Sequence, residues 1–183
     1  MARLSPLMAL PLLIASGFVG LALWGMSRPN PDALPSALVG QLAPMPVGAT
    51  ATALADLPTF AMDDLADGKV KIVNFWASWC GPCRAEHPHL VALQQEGIPI
   101  YGINYKDAPS DAEGFLASLG NPYDGVLVDA DGRMGIDWGI YGVPETFVLD
   151  GEGRIVLRFP GPILERNLSS DIRPALKSAA AGE

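Results

Sequence analysis

The chain has two cysteines in 183 residues, Cys80 and Cys83, separated only by Gly81-Pro82. A pair at i, i+3 can open and close a disulfide with little backbone movement, since one helical turn brings both sulfurs to one face. The chemistry open to it is thiol–disulfide exchange: a thiolate attacks a disulfide, a mixed disulfide forms, and the second thiol resolves it. Other uses compete for the spacing. Cys-x-x-Cys is half of a zinc site, and His87 and His89 follow closely, but alternate helical positions face apart and match no zinc pattern. A c-type haem attachment site needs His directly after the second Cys, where Arg84 stands. A structural disulfide is the stronger rival, although so small a loop removes little chain entropy.

The elements around the pair strengthen the exchange reading. Ile72 to Trp76 is a short apolar, aromatic-rich run that reads as a buried strand. An amphipathic stretch from Cys80 to about Glu96 reads as a helix, with Leu90 and Leu93 on its buried face and Pro88 kinking it. The cysteines therefore sit where a strand ends and a helix begins. Unpaired N–H groups and the helix dipole favour negative charge there, so Cys80 is expected to be the exposed, readily ionised nucleophile and Cys83 to face inward. Trp76 is expected in the core. Trp79, just before the nucleophile, is expected on a docking surface. His87 and His89 read as helix-surface residues.

The front of the chain is of another kind. After Arg3 no charge appears until Arg28, so Leu4 to Ser27 is an uncharged run of 24 residues in a chain of mean hydropathy +0.24. As a helix it would reach roughly 36 Å, enough to cross a bilayer. The rival is a cleaved signal peptide, whose apolar region is shorter and ends at an Ala-x-Ala-type site; Gly25 and Ser27 match that weakly. Residues 1–28 are read as an uncleaved signal-anchor, 29–37 as a proline-rich spacer, and 38–183 as a globular domain exported across the membrane. Leu38 to Thr50 is apolar enough to pack on that domain. Beyond residue 28 the chain carries 10 basic and 20 acidic residues, scattered along it, which argues against nucleic-acid binding.

Beyond the cysteines the elements alternate. Pro99 to Asn104 reads as a strand, a helix capped by Ser110 or Asp111 runs to Leu119, and Gly125 to Val128 reads as a strand. Thr146 to Leu149 and Ile155 to Phe159 flank Asp150-Gly151-Glu152-Gly153 as a hairpin. Leu164, Leu168, Ile172 and Leu176 predict a closing helix whose end Pro174 disturbs. The implied fold class is α/β, a mixed sheet flanked by helices.

Phe75-Trp76-Ala77-Ser78-Trp79-Cys80-Gly81-Pro82-Cys83, with Pro88 five residues on, resembles the thioredoxin active site. With Gly40-Gln41-Leu42-Ala43-Pro44, Arg84-Ala85-Glu86-His87-Pro88, Gly142-Val143-Pro144-Glu145-Thr146-Phe147 and the N-terminal anchor, it is similar to the CcmG/DsbE family, the membrane-tethered periplasmic thioredoxins of cytochrome c maturation. The resemblance implies a thioredoxin-like fold over residues 38 to 177 and a cis Val143–Pro144 bond beside the disulfide. It implies Trp79, Val143 and Pro144 as substrate-binding residues. It implies a protein reductant of apocytochrome c, or of a haem-lyase or thiol partner that handles it, with a membrane thiol reductase as electron donor. The redox group is the Cys80–Cys83 dithiol itself, with no bound cofactor or metal. General thioredoxins carry a buried Asp where Asn74 stands, and Asn74 cannot titrate. Glu86, one turn after Cys83, and Glu145, after Pro144, are the candidate acids. A thiol peroxidase would need a lone peroxidatic cysteine, which is lacking; a non-catalytic apocytochrome-binding module or a general periplasmic exchange protein are the alternatives.

Overall fold

The structure, a computed structural model, describes residues 6–26, 38–45, 53–54 and 57–182. The spacer read over 29–37, both flanking domain boundaries and residues 46–50 lie outside the described residues. The chain divides into two compact units, Met1–Pro35 and Ser36–Glu183. In the first, Pro6–Met26 forms one helix (α1) that includes Pro11 and exposes its side chains from Leu13 to Trp24. Among the described residues no helix is long and apolar enough to cross a membrane.

The second unit is built on a five-stranded sheet of order β3-β2-β1-β4-β5, with β1 Lys71–Trp76, β2 Ile100–Tyr105, β3 Gly125–Asp129, β4 Glu145–Leu149 and β5 Ile155–Pro160. The three N-terminal strands are parallel; β4 joins β1 antiparallel and pairs antiparallel with β5. This is the mixed sheet expected. β1 is central and buried at all six positions, so its residues divide between two cores. Ile72 and Trp76 pack with Leu90 and Leu93 of α3 (Gly81–Gln95), Phe115 of α4 (Pro109–Leu119), and Ile172. Val73 and Phe75 pack on the other face with Leu65 of a short α2 (Met62–Leu65) and with Met134 and Trp138 at α5 (Arg133–Asp137). A strand buried on both faces is expected to be apolar, which is why Lys71 at its start and Asn74 at its middle stand out in it. Leu38 to Ala43 also lies on the domain: Gly40 and Ala43 donate to the carbonyls of Ile155 and Gly153.

Several local expectations are corrected. α4 starts at Pro109 with Ala108 as N-cap, and neither Ser110 nor Asp111 caps it. Proline suits a first turn, where its missing N–H would be unpaired anyway. Pro88 lies inside α3, as expected, and the helix runs on to Gln95. Helix α5 was not anticipated. The closing helix is three pieces, α6 (Glu165–Asn167), a π turn (Leu168–Ile172) and α7 (Arg173–Ala181), and Pro174 sits in the first turn of α7, not at its end. The fourfold leucine spacing explains the π turn. Steps of four overrun 3.6 residues per turn, and a wider turn keeps Leu168, Ile172 and Leu176 on the core side.

Candidate active site

β1 ends at Trp76 and the chain turns through Ala77-Ser78-Trp79 into α3. Cys80 is the N-cap of that helix, and its Sγ accepts a hydrogen bond from the Cys83 amide at 3.1 Å. The two cysteines form a disulfide with Cα atoms 5.3 Å apart. Both are buried in this oxidised form, Cys80 at 3% and Cys83 at 2% exposure, so the expectation of an exposed Cys80 is corrected. What distinguishes the sulfurs is the helix terminus: only Cys80 receives an orphan N–H of the first turn.

The loop ending at Pro144 comes to the same place. Val143–Pro144 is cis, as the resemblance implied, and the Val143 carbonyl oxygen lies 3.5 Å from Cys80 Sγ. Trp79 is 60% exposed, with its indole N–H donating to the Lys106 carbonyl at 3.0 Å. Tyr141 is exposed on the Pro144 loop, and Trp76 is buried, stacked on Tyr123. The nucleophile, an exposed indole and the Val143 backbone are thus joined on one face of the domain.

The two candidate acids differ in kind. Glu86 is fully buried; its Oε1 accepts from Asn74 Nδ2 at 2.9 Å and its Oε2 from the Ile163 amide at 2.9 Å. Asn74 is satisfied in turn, donating to Thr146 Oγ1 at 3.1 Å and accepting from the Tyr123 hydroxyl at 2.9 Å. Burial pushes the Glu86 carboxyl up to about 7, against the two hydrogen bonds that favour its charged form. A carboxyl group that titrates near neutrality, one turn from Cys83, can take or return a proton under working conditions. Burial also raises the Tyr123 hydroxyl far above its ordinary range, so it stays a hydrogen-bond donor.

Glu145 is also buried, which rules out a solvated carboxylate, and it holds a cation. Arg158 Nε and Nη2 donate to its two oxygens at 2.7 and 3.2 Å, and the Tyr141 amide donates to Oε1 at 3.0 Å. The Arg158 guanidinium lies 4.5 Å over the Tyr141 ring. Arg158 is the residue that sequence reasoning missed. Its signal was a lone charge inside the apolar run Ile155 to Phe159. His87 is corrected as well: it is buried against Phe115, its Nε2 lies 2.8 Å from the Gly120 carbonyl, and burial lowers its pKa. Among the described residues no group of His, Cys, Asp and Glu could hold a metal ion.

Comparison with known proteins agrees with this geometry. Residues 38–173 match the Redoxin family. The chain is 50% identical over 179 residues to the thiol:disulfide interchange protein HelX of Rhodobacter capsulatus, covering 96% of this chain and 98% of that one. It is 45% identical to the DsbE homolog of Paracoccus denitrificans over the whole length of both. The chain belongs to the CcmG/DsbE family. A crystal structure from Chlorobium tepidum named for the thiol:disulfide interchange protein DsbE superposes with a TM-score of 0.64 at 27% identity, covering 79% of this chain and 99% of that one. This CcmG/DsbE protein thus has the thioredoxin-like fold and is a thiol-disulfide oxidoreductase whose redox pair is Cys80–Cys83.

Proposed function

We propose that this CcmG/DsbE protein is a reductant of disulfides in apocytochrome c, or in a thiol partner that handles it, held by residues 1–28 on the periplasmic side of the bacterial inner membrane. The observation that carries the reductant reading is the buried Glu86 one helical turn after a Gly-Pro dithiol. Negative charge near the sulfurs disfavours their thiolates. A poorly stabilised thiolate makes the reduced form the better electron donor. Gly81-Pro82 adds no cation between the cysteines. Glu145 is taken up by its ion pair with Arg158, which leaves Glu86 as the acid that acts on them, while the exposed Arg84 holds its guanidinium 4.8 Å over the Phe115 ring.

The reaction is two exchanges. The Cys80 thiolate attacks one sulfur of the target disulfide, forming a mixed disulfide and expelling the other target sulfur as a thiolate, which takes up a proton. Cys83 loses its proton toward Glu86 and attacks Cys80 Sγ; the mixed bond breaks, the second target sulfur leaves and is protonated, and Cys80–Cys83 remains. The target gains two electrons and two protons. Trp79, Val143 and Pro144 line the approach, and the dithiol of a membrane thiol reductase, itself oxidised to a disulfide, returns Cys80–Cys83 to the reduced form. The uncharged run from Leu4 to Ser27 is what supports the anchor.

Equilibrating the protein with a glutathione redox buffer tests the direction of electron flow. The expected potential is nearer ~-270 mV than ~-120 mV, and a value above about -180 mV would end the reductant assignment. Trapping partners with Cys83→Ser, which stops at the mixed disulfide, identifies the target; recovering no cytochrome or cytochrome-handling protein would remove that part of the reading.

A further inference from the structure

The turn between β2 and α4 grips the residues that lead into Cys80. The Asp107 carboxylate accepts four hydrogen bonds. Oδ2 takes the Ser78 amide at 2.6 Å and Asn104 Nδ2 at 2.9 Å; Oδ1 takes the Ser78 hydroxyl at 2.7 Å and the Ala108 amide at 3.0 Å. Its neighbour Lys106 has φ +47°, the one non-glycine residue with positive φ among the described residues. That conformation is strained for a side-chain-bearing residue and persists only where surroundings impose it. Here the Lys106 amide is tied to the Asp129 carbonyl at 2.9 Å, and its own carbonyl receives the Trp79 indole at 3.0 Å.

We propose that Asp107 is a positioning residue for thiol–disulfide exchange, which with Lys106 fixes Ser78 and Trp79 so that the exposed indole stands ready beside Cys80 for a polypeptide target. The physical reason lies in what the clamp saves. An exposed aromatic on a loop tip samples several rotamers and must be ordered when a partner docks, whereas one already held avoids that loss. Trp79 is mostly exposed, so its hydrogen bond and the four bonds beneath it contribute much of its order. A small disulfide reaches the sulfur without covering the indole and benefits little. A peptide disulfide must lie across it. The inference rests on the exchange activity of Cys80–Cys83 and not on the identity of the physiological target.

The test oxidises the reduced full-length protein with two disulfides in turn: glutathione disulfide, and a synthetic peptide of about a dozen residues closed by an internal Cys-x-x-Cys disulfide. Asp107→Ala is expected to lower the peptide-to-glutathione ratio of rate constants at least about fivefold. Asp107→Asn should retain most of that ratio, because its oxygen can take the Ser78 amide and Asn104 donors and its amide can donate to the Ser78 hydroxyl, with only the Ala108 amide losing its acceptor. In a Trp79→Ala background Asp107→Ala should lower the ratio no further, since its effect passes through the indole. A ratio unchanged by Asp107→Ala, equal slowing with both oxidants, or full additivity with Trp79→Ala would overturn the proposal.

Discussion

Glu86 on α3 and Asn74 on the central strand share a buried hydrogen bond of 2.9 Å, which places the titratable group opposite a strand position that itself cannot titrate. Asn74 uses its amide as a double donor and its oxygen as an acceptor, so it cannot relay a proton, but it fixes where the proton-accepting oxygens of Glu86 lie. The titratable group thus sits on the helix, in the same buried layer as the strand position.

That burial makes stability depend on pH. A carboxyl group whose folded pKa is raised contributes its full stabilisation below its ordinary value near 4.5 and loses it as pH climbs to the folded value of about 7. The oxidised protein should therefore lose on the order of 3 kcal/mol across that window through Glu86. His87, whose pKa burial lowers, works in the opposite sense, because its stabilisation is lost as pH falls through the range. The readout is accordingly the difference between wild type and Glu86→Gln in urea unfolding from pH 4.5 to 8. Parallel curves for the two proteins would show that Glu86 titrates where an exposed carboxyl does.

The ion pair between Glu145 and Arg158 predicts a large and asymmetric cost. Both side chains are buried, at 2% and 8% exposure, so removing the cation strands a carboxylate away from water. Arg158→Met should destabilise the protein by about 3 kcal/mol, and adding Glu145→Gln should restore part of the loss. The check is chemical denaturation of the three variants. A cost under about 1 kcal/mol for Arg158→Met would mean the pair behaves as a surface contact.

These two acids also mark where the sequence was legible. The strand, turn and helix carrying Cys80 and Cys83 were readable because short-range rules govern them: an apolar run, a turn, an amphipathic period. Glu86 and Glu145 were identifiable as candidates, but their environments were not. The Arg158 contact depends on how β4 pairs with β5, where Phe147 faces Arg158 and Glu145 is its diagonal neighbour. The shielding of His87 depends on the end of α4 folding over it at Gly120, 33 residues away. Likewise Asp107 is 29 residues from Ser78, and only parallel pairing of β1 with β2 brings their loops together. The π turn left a trace in the fourfold spacing, which reads as an ordinary helix until a register that must keep facing the core is drawn.

The uncharged run at the front gives a further expectation. The protein should be recovered intact from membrane fractions, with a mass that includes Met1 to Ser27. A soluble chain beginning near Arg28 would make the segment a cleaved signal peptide instead.

The division of labour between the sulfurs follows from the N-cap and no longer from exposure. In the oxidised protein both sulfurs are covered, so accessibility alone would predict equal and slow modification. Reduction breaks the covalent link but leaves Cys80 at the helix start, where the Cys83 amide points at its sulfur and the helix dipole favours a negative charge. The Val143 carbonyl opposes this, since its oxygen at 3.5 Å repels a thiolate and can accept a hydrogen bond from a thiol. The amide is nearer, at 3.1 Å, and adds to the dipole, so the balance favours ionisation at Cys80. Cys83 has no such donor and faces the core with Leu90 and Leu93. Alkylation of the reduced protein with iodoacetamide near neutral pH should therefore mark Cys80 at least about tenfold faster than Cys83, read by peptide mass spectrometry over time. Val143→Gly, which keeps the carbonyl, should preserve that order. Equal rates at the two sulfurs would show that the N-cap hydrogen bond does not choose the nucleophile.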